Sequence, residues 1–198
     1  ATIGNSLTEA TKTEKAIGIL QDHIKKTNAA TVIEIGEHTK ESMGIYARQG
    51  EMNVISPLAN MGIASSKLDI QGGTGNIGMV ATSSEQVERV KDEYGTIIGS
   101  NPITAKAKIN FEGEALITGG ENHKLALATA GGKITLNGRV AAGSASNFIK
   151  NTVTLYATGD TSEVTVTKPE KFSSYLSENS AAAYANDKGI ININRPSL

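Results

Sequence analysis

One glycine-rich segment of the chain has the spacing of a dinucleotide-binding loop. Residues Gly73 to Gly78 match the pattern G-x-G-x-x-G and follow the alternating run 68–71. In a dinucleotide-binding fold, such glycines let the backbone approach a pyrophosphate, and an acidic residue about 20 positions later binds a ribose hydroxyl. Glu93 has that position. A fingerprint strand is normally continuously apolar, however, and residues 79–82 continue as a further strand, so a nucleotide-dependent oxidoreductase is our third hypothesis.

The residues that commonly bind metals do not form a recognisable site. The glycine-rich block resembles the calcium-binding nonapeptide of RTX proteins, but Ile77 occupies the carboxylate position and the block occurs once. The three histidines lack the H-x-H and H-E-x-x-H spacings; they are His23, His38 and His123. The chain has no Cys, which excludes disulfides, thiolate zinc sites and Cys nucleophiles. We therefore expect no metal and no cofactor.

The carboxylates give weak support for catalysis. Glycoside hydrolysis requires two carboxylates that face each other across a sugar. Glu112 and Glu114 flank Gly113 and form the only close pair in a strand-like context, where a solvated turn is the simpler explanation. No G-x-S-x-G motif is present, which excludes a nucleophile elbow. We expect no enzymatic activity, since the five aspartates are scattered singly: Asp22, Asp69, Asp92, Asp160 and Asp187.

Composition restricts the classes of protein that the chain can represent. Its net charge of −1 without a basic run argues against nucleic-acid binding. No apolar stretch approaches the roughly 18 to 20 residues that span a bilayer. Val, Ile, Leu and Phe make up 44 of the 198 residues, with 20 Thr, 15 Asn and 21 Gly. β-branched residues favour strands, and Asn and Gly favour tight turns, so this composition indicates an elongated β structure.

A repeat is the strongest signal in the sequence. Seven short pieces share the order apolar, small, apolar, then apolar or Ala, with the second residue always small or short. The repeat indicates a solenoid, although chance recurrence in a Gly-, Ile- and Ala-rich chain is the alternative. The pieces are 17–20 (IGIL), 43–47 (MGIYA), 61–64 (MGIA), 77–81 (IGMVA), 125–128 (LALA), 153–157 (VTLYA) and 181–185 (AAAYA).

Most pieces are followed, after a turn, by a second alternating run. The small residues of successive pieces are 16 to 28 residues apart, except for one spacing of 48, which we interpret as two coils. Coils of this size predict an all-β, right-handed parallel β-helix with short helical or loop insertions. Residues 1–30 are expected to form a cap or an atypical first coil, and 31–198 a repeat region with inserts near 83–101 and 168–180. The second runs are 52–55, 68–71, 133–137, 164–167 and 190–194.

Three segments interrupt the repeat and have helical spacing. In 83–94, Val87, Val90 and Tyr94 lie three or four residues apart, and Ser84 is a plausible N-cap. The segment 169–185 begins with Pro and predicts a short helix. The segment 8–26 could be a helix or a cap. Caps or solvated loops explain all three, and a binding role for the 83–101 insert is the alternative.

Several of the repeated blocks resemble a known family. The blocks MGIYA, NMGIAS, NIGMVATS and AAAYANDKGIININ are similar to the passenger repeats of type V autotransporter adhesins, most of all the large fusobacterial autotransporters. Those repeats follow G-h-Y-A … G-x-I-x-h, in which h is apolar. The likeness covers 40–60 and 120–198. It implies a secreted β-helical stalk that a C-terminal barrel, outside these residues, carries to the cell surface.

We therefore expect a non-catalytic structural or adhesive segment of a passenger displayed outside the bacterial outer membrane, with a role in adhesion or virulence. Its expected partners are host-cell or bacterial surface proteins or glycans, and we expect a monomeric fragment that does not itself span the membrane. Zero Cys suits export, because a periplasmic disulfide would obstruct threading through a pore. The second hypothesis is a carbohydrate-binding or carbohydrate-cleaving β-helix, similar to a tailspike or a lyase.

Overall fold

The computed structural model describes residues 2–4, 13–56 and 65–194, without the side chains of 2, 24, 84–89 and 101–105. These residues form β-strands and one 3₁₀ turn at Pro169–Lys171, and none of them is in an α-helix. The all-β prediction is confirmed. In chain order the strands are β1 (Thr2–Ile3), β2 (Thr13–Glu14), β3 (Ile17–Ala29), β4 (Val32–Ile35), β5 (Thr39–Lys40), β6 (Met43–Val54), β7 (Lys67–Ile70), β8 (Ile77–Thr82), β9 (Ser84–Lys91), β10 (Ile97–Ala105), β11 (Ala107–Phe111), β12 (Glu114–Ile117), β13 (Lys124–Thr129), β14 (Lys133–Leu136), β15 (Arg139–Ala142), β16 (Val153–Thr158), β17 (Glu163–Val166), β18 (Phe172–Ser174), β19 (Ala181–Asn186) and β20 (Ile190–Ile193).

Two sheets contain most of these strands. Sheet A has six strands in the order β1-β4-β7-β12-β15-β18. Sheet B has two arms, which meet because the long strands β3 and β6 contribute to both. Arm B1 contains the first halves of β3 and β6, then β8, β13, β16 and β19. Arm B2 contains their second halves, then β11, β14, β17 and β20.

All pairings within sheets A and B are parallel, and the chain visits the three strand positions in a fixed order. It passes through sheet A, arm B1 and arm B2, and then returns to sheet A beside its previous strand. We call one such circuit a pass; the described residues contain six. Successive passes align residue by residue: Ile134, for example, pairs with Ile109 on one side and Val164 on the other.

Alternation along each strand positions the core. Ile45 and Ala47 in arm B1 are fully buried, while Tyr46 between them is partly exposed. The same alternation buries Ile109 and Phe111 in arm B2. The inward side chains of all three strand positions belong to one continuous hydrophobic cluster. A thin core shared by neighbouring passes explains why 22 % large apolar residues suffice.

Left-handed backbone turns the chain from sheet A towards arm B1 in every pass. The residue at this corner has a φ between 50° and 70°, a conformation that Gly and Asn adopt more readily than other residues. Half of the six corner residues are Asn, which agrees with the Asn-rich composition. The column is Lys15, Glu41, Gly75, Asn122, Asn151 and Asn179.

The structure corrects the alignment of one repeat. The small-residue pattern predicts that Ala126 is equivalent to Gly78. In the structure Lys124 pairs with Ile77 and Ala126 with Met79, so Leu125 is the residue equivalent to Gly78. A Cβ on Gly78 would lie 2.6 Å from the carbonyl oxygen of Leu125, so Gly is required there. The larger Leu125 is accommodated at the same position in the next pass. The predicted repeat at 61–64 lies outside the described residues.

The interpretation of the 48-residue spacing as two coils is wrong. Strand β8 pairs directly with β13, and β11 and β12 complete a single pass between them. The additional residues form an antiparallel hairpin of β9 and β10, which is a separate two-stranded sheet. It occupies the stretch for which the sequence predicts an insert near 83–101.

No α-helix forms in the described residues of the three interrupting segments, so the helical prediction at 83–94 is wrong, as is the helix alternative to a cap at 8–26. The segment predicted as a helix at 83–94 forms β9 and its turn, because cross-strand pairing with β10 supplies the backbone partners. In 169–185, only the 3₁₀ turn is helical, and β18 then pairs with β15. Residues 13–26 lie in β2 and β3 or between them. The division into a cap at 1–30 and a repeat region at 31–198 stays a prediction.

Candidate functional site

The glycine-rich segment 73–78 does not form a phosphate-binding loop. It is the corner between β7 and β8, and a strand follows it where a nucleotide site requires a helix N-terminus. Four consecutive backbone N–H groups are already bonded, which leaves none of them to bind a pyrophosphate. The bonds run from Thr74 to Thr39 O (3.0 Å), from Gly75 to Glu121 O (3.2 Å), from Asn76 to His123 Nδ1 (3.1 Å) and from Ile77 to Ser42 O (2.8 Å).

Glu93, the residue expected to bind a ribose, belongs to a different sheet. It is exposed in the turn between β9 and β10. The geometry therefore separates the two parts of the oxidoreductase motif. The described residues also contain no cluster of three His, Asp or Glu side chains that could hold a metal ion.

The three histidines lie in three different environments. His23 is exposed in β3, where its Nδ1 accepts a bond from the Lys25 N–H at 3.0 Å. His38 is half-buried at a corner beside Glu37. His123 is 1 % exposed and lies just before β13. Only His123 is inside the protein.

His123 belongs to a ladder of polar side chains at the entrance to arm B1. In four successive passes, the backbone N–H before the strand donates to a side chain of the next pass: Ser42 to Asn76 Oδ1 (3.0 Å), Asn76 to His123 Nδ1 (3.1 Å), His123 to Thr152 Oγ1 (3.1 Å) and Thr152 to Ser180 Oγ (3.0 Å). The ladder satisfies buried N–H groups that would otherwise be costly. It therefore serves the fold.

Burial keeps His123 neutral. Desolvation lowers the pKa of His123 from 6.5 to about 4. Because Nδ1 accepts a bond from Asn76, the proton is on Nε2, which is buried. Gly120 lies against the ring, since a Cβ there would collide with Nε2. The enclosed ring has no room for a substrate.

The carboxylates lie in different environments. Asp69 is buried and accepts bonds from Lys67 Nζ at 2.9 Å and Thr118 Oγ1 at 2.8 Å. The bond to Asp69 raises the pKa of Lys67, so this pair is a structural ion pair. Glu114 is paired with Arg139 at 3.4 Å, and Glu112 is exposed. Glu112 and Glu114 line one concave surface of ≈ 240 Å³.

The β9–β10 hairpin presents apolar residues at its tip. Tyr94 is 85 % and Ile98 is 65 % exposed. Asp92 stabilises the turn, because its Oδ1 accepts bonds from the N–H groups of Tyr94 at 2.9 Å and Thr96 at 2.8 Å. An ordered turn with exposed apolar side chains can act as a contact site.

A groove on the outer side of arm B2 was not predicted from the sequence. It has a volume of ≈ 440 Å³. Its floor is a column of amides: Asn53 Nδ2 donates to Asn28 Oδ1 at 2.9 Å, and Asn110 Nδ2 donates to Asn53 Oδ1 at 2.6 Å. Alternation within the predicted second runs could have indicated these outward residues, but not that they stack. We call this the B2 groove, lined by Lys26, Asn53, Ile55, Asn110, Glu112, Asn137 and Thr167 among others.

The outer side of arm B1 carries an apolar column beside a column of threonines (Thr82, Thr129 and Thr158). One column follows the strand register from pass to pass, and the rings of Tyr156 and Tyr184 lie 5.3 Å apart with Lys124 Nζ 5.8 Å from the Tyr156 ring. A second aromatic pair, Phe148 and Tyr175, makes an edge contact at 6.1 Å at a corner beside this arm. We call the first set the B1 column: Leu20, Tyr46, Val80, Leu127, Tyr156 and Tyr184.

Comparisons of the chain with protein-family models, with curated proteins and with solved structures found no match. The part of the chain that the structure describes contains no helix long and apolar enough to span a bilayer.

Proposed function

We propose that the chain is a right-handed parallel β-helix that serves as a structural and adhesive segment of a secreted, surface-displayed autotransporter passenger. The observation that supports this proposal best is the parallel register of three strand positions over six passes, from which one hairpin projects. Parallel strands joined by crossover connections are right-handed in about 98 % of cases, which supports the handedness.

The same arrangement suits display. Each pass is bonded to its neighbours along three strand positions, so the backbone is protected and the body is rigid. The hairpin holds Tyr94 and Ile98 away from this body on an ordered turn. Residues that bind partners commonly lie on loops that a rigid scaffold positions. We therefore assign the adhesive contact to the hairpin tip, with a surface protein or glycan of a host or bacterial cell as the partner.

Export is part of the proposal. A chain without Cys cannot form the periplasmic disulfide that would hinder passage through a pore. Passes that each bury a small apolar face can fold one after another outside the cell. The sequence resemblance to autotransporter passengers supports the same route, and we propose a monomeric segment without catalytic activity.

Bead adhesion tests the proposed role directly. Beads coated with the purified chain are expected to bind bacterial or cultured epithelial cells more than uncoated beads do. The double variant Tyr94→Ser with Ile98→Ser should reduce this binding at least fivefold, because it removes the apolar contact at the hairpin tip. Its far-UV circular dichroism should be unchanged, since both residues are exposed.

The matched control is Tyr184→Ser with Ile190→Ser, which removes one exposed Tyr and one exposed Ile from the last pass. It should retain binding. Binding equal to that of uncoated beads, or an equal loss in the control, contradicts the adhesive role.

Carbohydrate binding is the second candidate function, and the B2 groove favours it. The groove offers oriented amides over several passes, unlike the hairpin tip. Cleavage has weaker support, because Glu114 is held by Arg139. A turnover assay on oligosaccharides separates binding from cleavage.

A further inference from the structure

We propose that the B2 groove binds an uncharged oligosaccharide that lies across successive passes of arm B2. This inference rests on the second candidate function, carbohydrate binding, and specifies the class of carbohydrate. It assigns the site to the outer face of the body, separate from the hairpin tip.

Hydrogen bonds orient the amides of the groove but leave some of their donor and acceptor atoms without a described partner. Asn110 Nδ2 donates both to Asn53 Oδ1 at 2.6 Å and to Glu51 Oε1 at 2.9 Å, so its Oδ1 faces away from them. No described residue donates to Asn110 Oδ1. Asn137 Oδ1 accepts from Thr167 Oγ1 at 2.8 Å, and its Nδ2 donates to no described residue. The groove thus keeps an acceptor on one pass and a donor on the next, as hydroxyl-rich ligands require.

The remaining surface of the groove suits a sugar ring. Ile55 is 44 % exposed and offers an apolar contact for the C–H face of a pyranose. Lys26 and Glu112 carry opposite charges, so the lining favours an uncharged ligand over an acidic or a basic polymer. Polar residues around an apolar patch are typical of small-ligand sites.

Repetition of the groove indicates a ligand that is itself repetitive. The stacked residues Asn53, Asn110 and Thr135 are paired in register and therefore lie one strand spacing apart, about 4.8 Å. The B2 groove shares Glu112 and Asn137 with the adjacent concave surface of ≈ 240 Å³. An oligosaccharide of several sugars can occupy both.

An extended peptide is a poorer fit to the same groove. Peptides bind sheets most often by pairing with a free edge strand. The strands below the groove, β6, β11 and β14, are paired on both sides and have no free backbone edge. Recognition therefore depends on side chains, and the side chains here are amides and hydroxyls.

The test is an array of neutral oligosaccharides of four or more sugars, with sialylated and sulfated counterparts, incubated with the fluorescently labelled full chain. We expect retention on neutral members. The strongest neutral member is then titrated against Asn110→Ala and Asn137→Ala, each of which should weaken binding about tenfold through the loss of one or two hydrogen bonds. Asn179→Gly is the matched control, because Asn179 also belongs to an exposed amide pair, 3.3 Å from Asn151, at a corner outside the groove, and Gly keeps its left-handed backbone.

Binding is measured at a temperature at which the circular dichroism of every variant matches that of the folded parent chain, so that binding, not folding, is compared. No retention on neutral members, retention only on acidic members, or an equal loss in Asn179→Gly overturns the proposal. The bead assay separates this failure from that of the adhesive role. Beads that still adhere to cells through the hairpin tip would leave the adhesive role intact while the groove proposal falls.

Discussion

The two arms of sheet B share one interior but differ in the side chains that their outer faces stack. Inward residues such as Leu155 in arm B1 and Ile109 in arm B2 are fully buried in the same cluster. Outward, arm B1 stacks apolar residues in the B1 column with threonines beside it, whereas the outward columns of arm B2 are mainly amides, hydroxyls and ion pairs. The difference shows that both apolar and polar side chains can stack from pass to pass. Each outward residue contacts the equivalent residue of the next pass, so similar side chains form columns.

Core truncation should have the largest effect and should be equal in the two arms. Ile109→Ala and Leu155→Ala each leave a cavity in the shared cluster, and each should lower the free energy of unfolding by about 2–5 kcal/mol. Urea unfolding followed by circular dichroism measures this. A loss below about 1 kcal/mol in only one arm would show that the interiors are not equivalent.

The polar ladder at the entrance to arm B1 should make stability depend on pH. The pKa of His123 is about 4 in the folded chain and near 6.5 in the unfolded chain, so the unfolded state binds more protons between these values. The contribution is therefore complete above about pH 6.5 and is lost as the pH falls towards 4, by about 3 kcal/mol in total. His123→Asn retains an acceptor, as Asn76 does one pass earlier, and should remove this dependence.

The control for this titration is His23→Asn, since His23 is exposed in β3. Its stability profile between pH 4 and 7 should follow that of the parent chain. An unchanged profile in His123→Asn would contradict the assignment of the pH dependence to the buried ring.

Outer-face substitutions should cost less, for different reasons in the two arms. Asn53→Ala removes the amide that links Asn28 and Asn110 and should cost about 1 kcal/mol. Tyr156→Ala removes the aromatic contact with Tyr184 and should cost about 0.5–1.5 kcal/mol. A double-mutant cycle of Tyr156 and Tyr184 should show coupling, whereas one of Asn53 and Tyr156 should show none. Coupling in the second cycle would mean that the outer faces are not independent.

The smallest effect is expected at the ion pair of arm B2. Lys133 Nζ lies 2.9 Å from Glu163 Oε2, and its bond lowers the pKa of Glu163. A carboxyl group whose pKa is lowered in the folded chain stabilises the fold above its ordinary pKa, and this stabilisation is lost as the pH falls through the lowered pKa. Lys133→Ala should therefore make stability depend less on pH in the acid range. The half-exposed pair should contribute at most about 1 kcal/mol, and the contribution should decrease with salt. A salt-independent loss would point to packing of the Lys133 stem instead.

The period-two pattern predicted much of the fold because it reflects burial directly. The second runs 133–137 and 164–167 lie on β14 and β17, with inward residues at the expected positions. The hairpin was mistaken for a helix because Val87 and Val90 are three residues apart, a spacing compatible with one helix face. Only the partner strand, β10, decides between the two, and a local pattern does not contain that information.

The candidate sites were harder to predict than the strands. The Asn residues of the B2 groove are 25 and 57 positions apart in sequence, and only the register brings their amides together. The burial of His123 could not be predicted, because one His before a strand shows nothing of the ladder around it. The glycine-rich segment shows the converse. Its pattern fits a nucleotide site, but its N–H groups are bonded to neighbouring passes.

Cysteine cross-linking tests the winding of the chain most directly, because the parent chain has no Cys. Thr82 and Thr129 are paired in register across the hairpin insert, so Thr82→Cys with Thr129→Cys should form a disulfide under mild oxidation. Thr158 lies one strand further, and Thr82→Cys with Thr158→Cys should stay reduced. A disulfide in the second pair but not in the first would contradict the register on which the three strand positions, the two arms and the B2 groove depend.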